Sequence, residues 1–257
     1  MSDVQRPARG AVSSIRCLHV DAGQSPRERD DEVVVEEPLE IRVSGEPLAV
    51  TMRSPGHDHE LVAGFLLSEG LIRSRADLGG IAHCGRPGEE GYGNVIEVTP
   101  APGATLDPES MRGSRRGTLT TAACGVCGRV TIADLLERMG KLEDDARFDR
   151  TLIAHLTERL REQQPAFART GGLHAAAIVS ASGEFQVTRE DIGRHNATDK
   201  AIGRMLLDGI AELSARVLVV SGRTSFEIVQ KAAMARIPVV CAVSAPSSLA
   251  VSLARDL

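Results

Sequence analysis

The sequence predicts an α/β protein: a mixed, mainly parallel sheet in the second half, preceded by a smaller α+β unit. One observation predicts the sheet and a second the smaller unit. After Gly171-Gly172 the chain alternates apolar runs with helical patterns, in the order LHAAAIVS, NATDKAIGRMLLDG, RVLVVSG, SFEIVQKAAMA, IPVVCAVS and SSLAVSLARDL. Strands separated by helices of that length are the pattern of βαβ units. The earlier unit differs, because LEIRV and LAVTM lie only a SGEP turn apart and so read as a hairpin.

The elements follow in order. Residues 1–32, rich in Arg, Asp, Ser and Gly, read as a disordered or loosely ordered tail. The α+β unit spans 33–120. After the hairpin comes SPGHDHELVAGFLLSEGLI, where Leu61, Val62, Phe65 and Leu66 recur at helical spacing and Gly70 supplies a stop. The glycines of GRPGEEGYG mark a loop, and NVIEV at 94–98 alternates as a strand. The α/β unit spans 121–257. It opens with helices over 131–139 and 148–160, the second with Leu152, Ile153, Leu156 and Leu160 along one face.

The bulk numbers narrow the function classes. A chain of 257 residues with 42% hydrophobic and 25% charged residues has ample core for one large or two ordinary domains. There is no Trp and one Tyr, so aliphatic residues must supply that core. A formal charge of −5 argues against nucleic acid as a partner. No apolar stretch approaches a membrane span and the start lacks an h-region, so a cytoplasmic protein with no membrane partner is expected. Reducing conditions there argue against a disulfide framework for Cys17, Cys84, Cys124, Cys127 and Cys241. Cys241, inside IPVVCAVS, reads as a small core residue.

Cys124 and Cys127, in TAACGVCGRV, are the pair that needs a chemical account. Structural zinc wants a second pair of ligands; the nearest, His57 and His59, lie far upstream in what reads as a helix start. A zinc deaminase would also want a His-x-Glu partner motif, which has no match here. A thioredoxin-like dithiol normally opens a helix, whereas Gly128 follows this pair and the helix is expected only from Thr131. Between Met111 and Ala133 stand Arg112, Arg115, Arg116 and Arg129 and no acidic residue. Nearby cations favour thiolate, so an activated thiol on a glycine loop could accept and present sulfur.

A second constellation lies in three loops that follow strands and precede helices. REDIGRHNATDK carries Asp191, Arg194, His195, Asn196 and Lys200; SGRTSFE carries Ser221, Gly222 and Arg223; SAPSS carries Ser247 and Ser248. Ligands of open α/β sheets sit beyond such strand ends, where helix N-termini attract anions and arginine grips phosphate. A pocket for a phosphorylated or nucleotide-like ligand is therefore expected. Thr224, Ser247 and Ser248 also read as helix caps, with Thr224 and Glu227 in capping-box spacing, and His174 reads as packed.

EEPLEIRVSG, MRSPGHDHELVAGFLLSEGLI, AACGVCG, FARTGGLHAAAIV, EDIGRHNATDKAIG, SGRTSFEIVQKAA and SAPSSLAV, in this order, resemble the FdhD family of sulfur carrier proteins required for formate dehydrogenase activity. The resemblance implies a sulfurtransferase that takes persulfide sulfur from a cysteine desulfurase onto Cys124, with Cys127 as accessory thiol. The acceptor it implies is the molybdenum cofactor in its bis-molybdopterin guanine dinucleotide form, before insertion into formate dehydrogenase. By the same resemblance Asp191, Arg194, His195, Ser221, Arg223 and Ser247 help bind that guanine nucleotide, no metal is tightly bound, and the protein is a homodimer. It further implies a cytidine-deaminase-like α/β/α fold for the C-terminal domain. Two departures are TTAACG, where a serine-rich lead-in is expected, and the end at Leu257, where the pattern continues into a further strand. The alternatives are a zinc-dependent deaminase-like hydrolase and a non-catalytic molybdenum-cofactor chaperone.

Overall fold

The computed structural model describes residues 10–86, 89, 92–106, 139–143, 146–210 and 213–257. Strands β1 (Val12–His19) and β2 (Arg27–Val34) pair antiparallel as a separate ribbon. Within the loose tail expected over 1–32, residues 12–19 and 27–32 are thus corrected to strand. Its charges cross the ribbon as partners, with Arg16 beside Glu28 and Asp30, and Glu32 of β2 pairs with Arg169.

The first sheet has the order β4-β3-β6-β5, from β3 (Glu37–Val43), β4 (Glu46–Arg53), β5 (Leu78–His83) and β6 (Val95–Pro100). The expected hairpin is β3–β4. Its turn residues Ser44 and Gly45 both have positive φ, 51° and 83°, the combination whose twist suits a two-residue hairpin loop. Helix α1 (Asp58–Ser68) follows, and Gly70, at φ 72°, ends it as expected. Strand β5 was not foreseen, because LGGIAH has too little alternation to stand out.

The second sheet has the order β10-β9-β7-β8, from β7 (His174–Ser180), β8 (Phe185–Asp191), β9 (Arg216–Arg223) and β10 (Val239–Ser244). It is mixed α/β, but not mainly parallel: β9–β10 is parallel, while β7–β8 and β7–β9 are antiparallel. The reason is a missed strand. FQVTRED is polar enough to read as loop, yet it returns along β7 after a short turn at Gly183 (φ 86°). Helix α4 (Arg194–Leu207) then crosses from β8 to β9, which run the same way with β7 between them. The remaining helices are α2 (Arg150–Glu162), α3 (Pro165–Thr170), α5 (Phe226–Met234) and α6 (Ser248–Asp256). The boundary expected near 120 and all but Met139 of the helix expected over 131–139 lie outside the described residues. No described helix is long and apolar enough to cross a membrane.

The second sheet is covered on both faces. On one, Leu156 and Leu160 of α2 pack against Ala175, Ala177, Val179, Val217 and Val219. On the other, Ala197, Ala201 and Ile202 of α4 join Ile178, Leu218 and Val220 in a core that continues through Leu61, Val62 and Leu66 of α1 to Leu39, Ile41 and Ile96 of the first sheet. Contact between α1 and α4 is made by backbone. A Cβ on Gly64 would fall 1.9 Å from the Asp199 carbonyl oxygen, and one on Gly203 would fall 1.8 Å from that of Glu60.

Buried polar pairs reinforce this seam. Asp199 of α4 accepts hydrogen bonds from Ser68 Oγ of α1 (2.9 Å) and from Lys231 Nζ of α5 (2.8 Å). Burial raises the Asp199 pKa, and Lys231 opposes that shift. Glu60 of α1 accepts from Arg189 Nη2 of β8 at 2.8 Å. Burial pushes Glu60 up, but Arg189 and His57 overcome it and hold the carboxyl at about 2.

Gly203→Ala should lower stability by about 2–3 kcal/mol in urea unfolding, since a methyl group cannot enter the seam. In an exposed helix the same change adds about 1 kcal/mol, so a stabilised variant would refute the tight contact.

Candidate functional site

Because β7 opposes both of its neighbours, one end of the second sheet collects residues distant in sequence. His174 at the start of β7 stands opposite Asp191 at the end of β8, and Arg223 at the end of β9 stands beside Ser244 at the end of β10. Helices α4, α5 and α6 all begin at this end. The N-caps of α4 and α5, Gly193 and Ser225, make no side-chain capping bond. Apart from the N–H of Glu227, which its own carboxylate engages, their first-turn N–H groups are therefore left for an anion at the positive dipole ends. The capping box expected from Thr224 and Glu227 is corrected: the N-cap falls one residue later, on Ser225.

Arg194 opens α4, and its Nε is buried without a hydrogen-bond partner among the described residues. Gly222 lies between Arg194 and His174; a Cβ there would stand 3.5 Å from Arg194 Cδ and from His174 Nδ1. Burial lowers the His174 pKa and the Arg194 charge lowers it further, against the pull of Asp191. Burial and Arg194 thus favour the neutral imidazole of His174, a hydrogen-bonding group beside a fixed cation. Sequence reasoning took it for a packing residue because β7 runs antiparallel, a pairing not legible in HAAAIVS.

His195 is 7% exposed, with Nε2 at 3.4 Å from Ser225 Oγ and 3.9 Å from Glu227 Oε2. Serine and carboxylate meet the same ring nitrogen, so this is no nucleophile relay, which needs them on opposite nitrogens. Burial raises the Glu227 pKa, but Ser225, its own N–H, His195 and Arg194 outweigh that and lower it. His195 therefore ties α4 to the first turn of α5.

The other expected ligand contacts divide. Arg223 is exposed at the sheet end. Ser221 Oγ accepts the Ala175 N–H at 2.8 Å, which ties β9 to β7. Ser247 caps α6 by accepting from Ala250 N at 3.2 Å, and its own N–H reaches Thr224 O at 3.0 Å. Asp191, expected to touch the cofactor, has no exposed surface. It holds Lys200 Nζ at 2.6 Å and accepts from Gly193 N (2.8 Å), Ser54 N (3.1 Å) and Asn196 Nδ2 (3.1 Å). Asn196 also donates to Met52 O at 2.7 Å, so the end of β4 is fastened to the site.

Cys124 and Cys127 lie outside the described residues. Cys17, Cys84 and Cys241 are unpaired and partly buried, and burial raises the Cys241 pKa, which disfavours its reactive thiolate. His57 and His59 sit exposed at the start of α1, and no group of three or more metal-binding side chains occurs among the described residues.

In an NMR titration, His174 should protonate below the ordinary histidine value of 6.5. Arg194→Met should move that titration upward without fully normalising it, because burial remains; an unchanged midpoint would remove Arg194 as a cause.

A family model described as the FdhD/NarQ family matches residues 34–257. The sulfur carrier protein FdhD of Anaeromyxobacter dehalogenans (strain 2CP-C) is 53% identical over 231 residues, 88% of this chain and 80% of that protein. The protein of the same name from Streptomyces avermitilis is 48% identical over 233 residues, 89% of this chain and 82% of that one. A crystal structure from Desulfotalea psychrophila, assigned as a formate dehydrogenase accessory protein, superposes with a TM-score of 0.71 over 95% of this chain and 89% of that chain. At 24% identity that likeness speaks for the fold. With the family pattern spanning both sheets and relatives near half identity, the chain belongs to the FdhD/NarQ family.

Proposed function

We propose that the protein is a sulfur carrier in the maturation of formate dehydrogenase. The single observation that carries the geometric side of this reading is the convergence of the uncapped N-termini of α4 and α5 with Arg194 at one sheet end. Such a site suits a phosphate-bearing ligand. The names of the relatives support sulfur as the cargo, and the neighbouring crystal structure's assignment suggests the enzyme served.

In this reading Cys124 thiolate attacks the terminal sulfur of a persulfide on a cysteine desulfurase. The donor's S–S bond breaks, its cysteine leaves as thiolate, and Cys124 carries the new persulfide. Release follows when Cys127 thiolate attacks Cys124 Sγ. The bond to the terminal sulfur breaks, that sulfur departs as hydrosulfide, and a Cys124–Cys127 disulfide remains for a cellular dithiol to reduce. The arginines at 112, 115, 116 and 129 raise the thiolate fraction. The acceptor is the bis-molybdopterin guanine dinucleotide form of the molybdenum cofactor, bound as substrate. Arg194 and the α4 and α5 N–H groups hold its phosphates, with Arg223 at the rim. Ser221, His195 and Ser247 keep the loops around it in place, the protein working as a homodimer in the cytoplasm.

Incubation with a cysteine desulfurase and cysteine should add one sulfur to the protein, read by mass spectrometry. Cys124→Ala should abolish that gain, while Cys127→Ala should keep it and slow hydrosulfide release. A double variant that still supports formate dehydrogenase in cells would replace the carrier reading with that of a cofactor chaperone.

A further inference from the structure

Asp191 and Lys200 are two buried charges that the proposed chemistry does not use. Their exposures are 0% and 1%, so neither meets a ligand directly. Asp191 lies immediately under the start of α4, accepting the N–H of Gly193, the N-cap. Lys200 belongs to the second turn of the same helix, and its side chain runs back towards the N-terminus, the direction helical side chains lean. There its Nζ meets Asp191 Oδ2 at 2.6 Å and the Ser54 carbonyl at 2.9 Å.

A carboxylate at a helix N-terminus ordinarily answers the dipole and so competes with any incoming anion. Here the carboxylate also organises the turn, because it holds the N–H groups of Gly193 and Ser54 together. The two demands conflict unless the charge is cancelled from beneath. We propose that Lys200 is a positioning residue that neutralises Asp191, so that Asp191 can shape the Ile192–Gly193 turn while the N-terminus of α4 keeps its attraction for a phosphate group. The inference rests on the reading of this sheet end as an anion site. Arg194, His174, His195, Glu227 and Arg223 share that end, and the Asp191–Lys200 pair sets the background field in which they act.

The experiment is calorimetric titration of the full chain with GDP at fixed ionic strength, with thermal unfolding of each variant alongside. Lys200→Met, which leaves the carboxylate uncompensated, should weaken GDP about tenfold. Asp191→Asn, which leaves the ammonium uncompensated, should tighten it about threefold, and the double variant should return to within about threefold of wild type. A purely structural pair would lose affinity in all three. Weaker binding by folded Asp191→Asn, or a folded double variant that no longer binds, therefore overturns the proposal. If Lys200→Met does not fold, those two variants decide by the same signs. Wild-type affinity in folded Lys200→Met overturns the electrostatic role alone, whereas failure of the wild-type protein to bind GDP overturns the anion site itself and the inference with it.

Discussion

Two helices touching through their backbones hold this protein together. Glycine inside a helix is unfavourable by about 1 kcal/mol relative to alanine, yet α1 and α4 each place one at their crossing. The gain is proximity. With no side chain between them, Gly64 and Gly203 let the helices share a core with both sheets, from Leu39 and Ile96 to Leu218 and Val220. Ser68, Asp199 and Lys231 can then meet across three helices, and the start of α1 lies close enough to β8 for Glu60 to reach Arg189.

That proximity makes the first sheet part of the site. Asn196 grips the carbonyl of Met52, Asp191 the amide of Ser54, and Lys200 the carbonyl of Ser54. The bonds run from the end of β8 and the first two turns of α4 to the end of β4 and Ser54 just beyond it. The turn that opens α4 is therefore fixed from both sides, and a binding site made of backbone N–H groups needs such fixing because its donors cannot be re-aimed by side-chain rotation. Buried charges of this kind add little net stability, but loss of one partner typically costs about 3–5 kcal/mol. They act as constraints on arrangement more than as sources of stability.

Charge is handled with the same economy. An acidic chain, at −5 overall, presents a sheet end suited to anions because its nearby carboxylates are engaged. Asp191 is paired from below, and Glu227, held ionised, faces His195 and Arg194. The N-termini of α4 and α5 and the guanidinium of Arg194 then dominate the local field.

Much of this was legible in the chain itself. Apolar periodicity placed the β3–β4 hairpin, α1, β6, β7, β9, β10 and the helices after them, because side-chain burial repeats with the local geometry of each element. The loops with Arg194, His195, Ser221, Arg223 and Ser247 were recognisable from their polar residues between strand and helix, and Cys124 and Cys127 from their spacing. Pairing partners were not legible. FQVTRED hides a strand whose Arg189 and Asp191 are ion-paired inside the fold, and its return along β7 turned an expected mainly parallel sheet into one with two antiparallel pairings and one parallel. That reversal brought His174 to the site and sank Asp191 beneath it. Local pattern determines which residues form an element and which face it buries. Which strand lies beside which, and hence whether a given aspartate meets a ligand or a lysine, depends on contacts between residues far apart in the chain, and only the tertiary structure decided that.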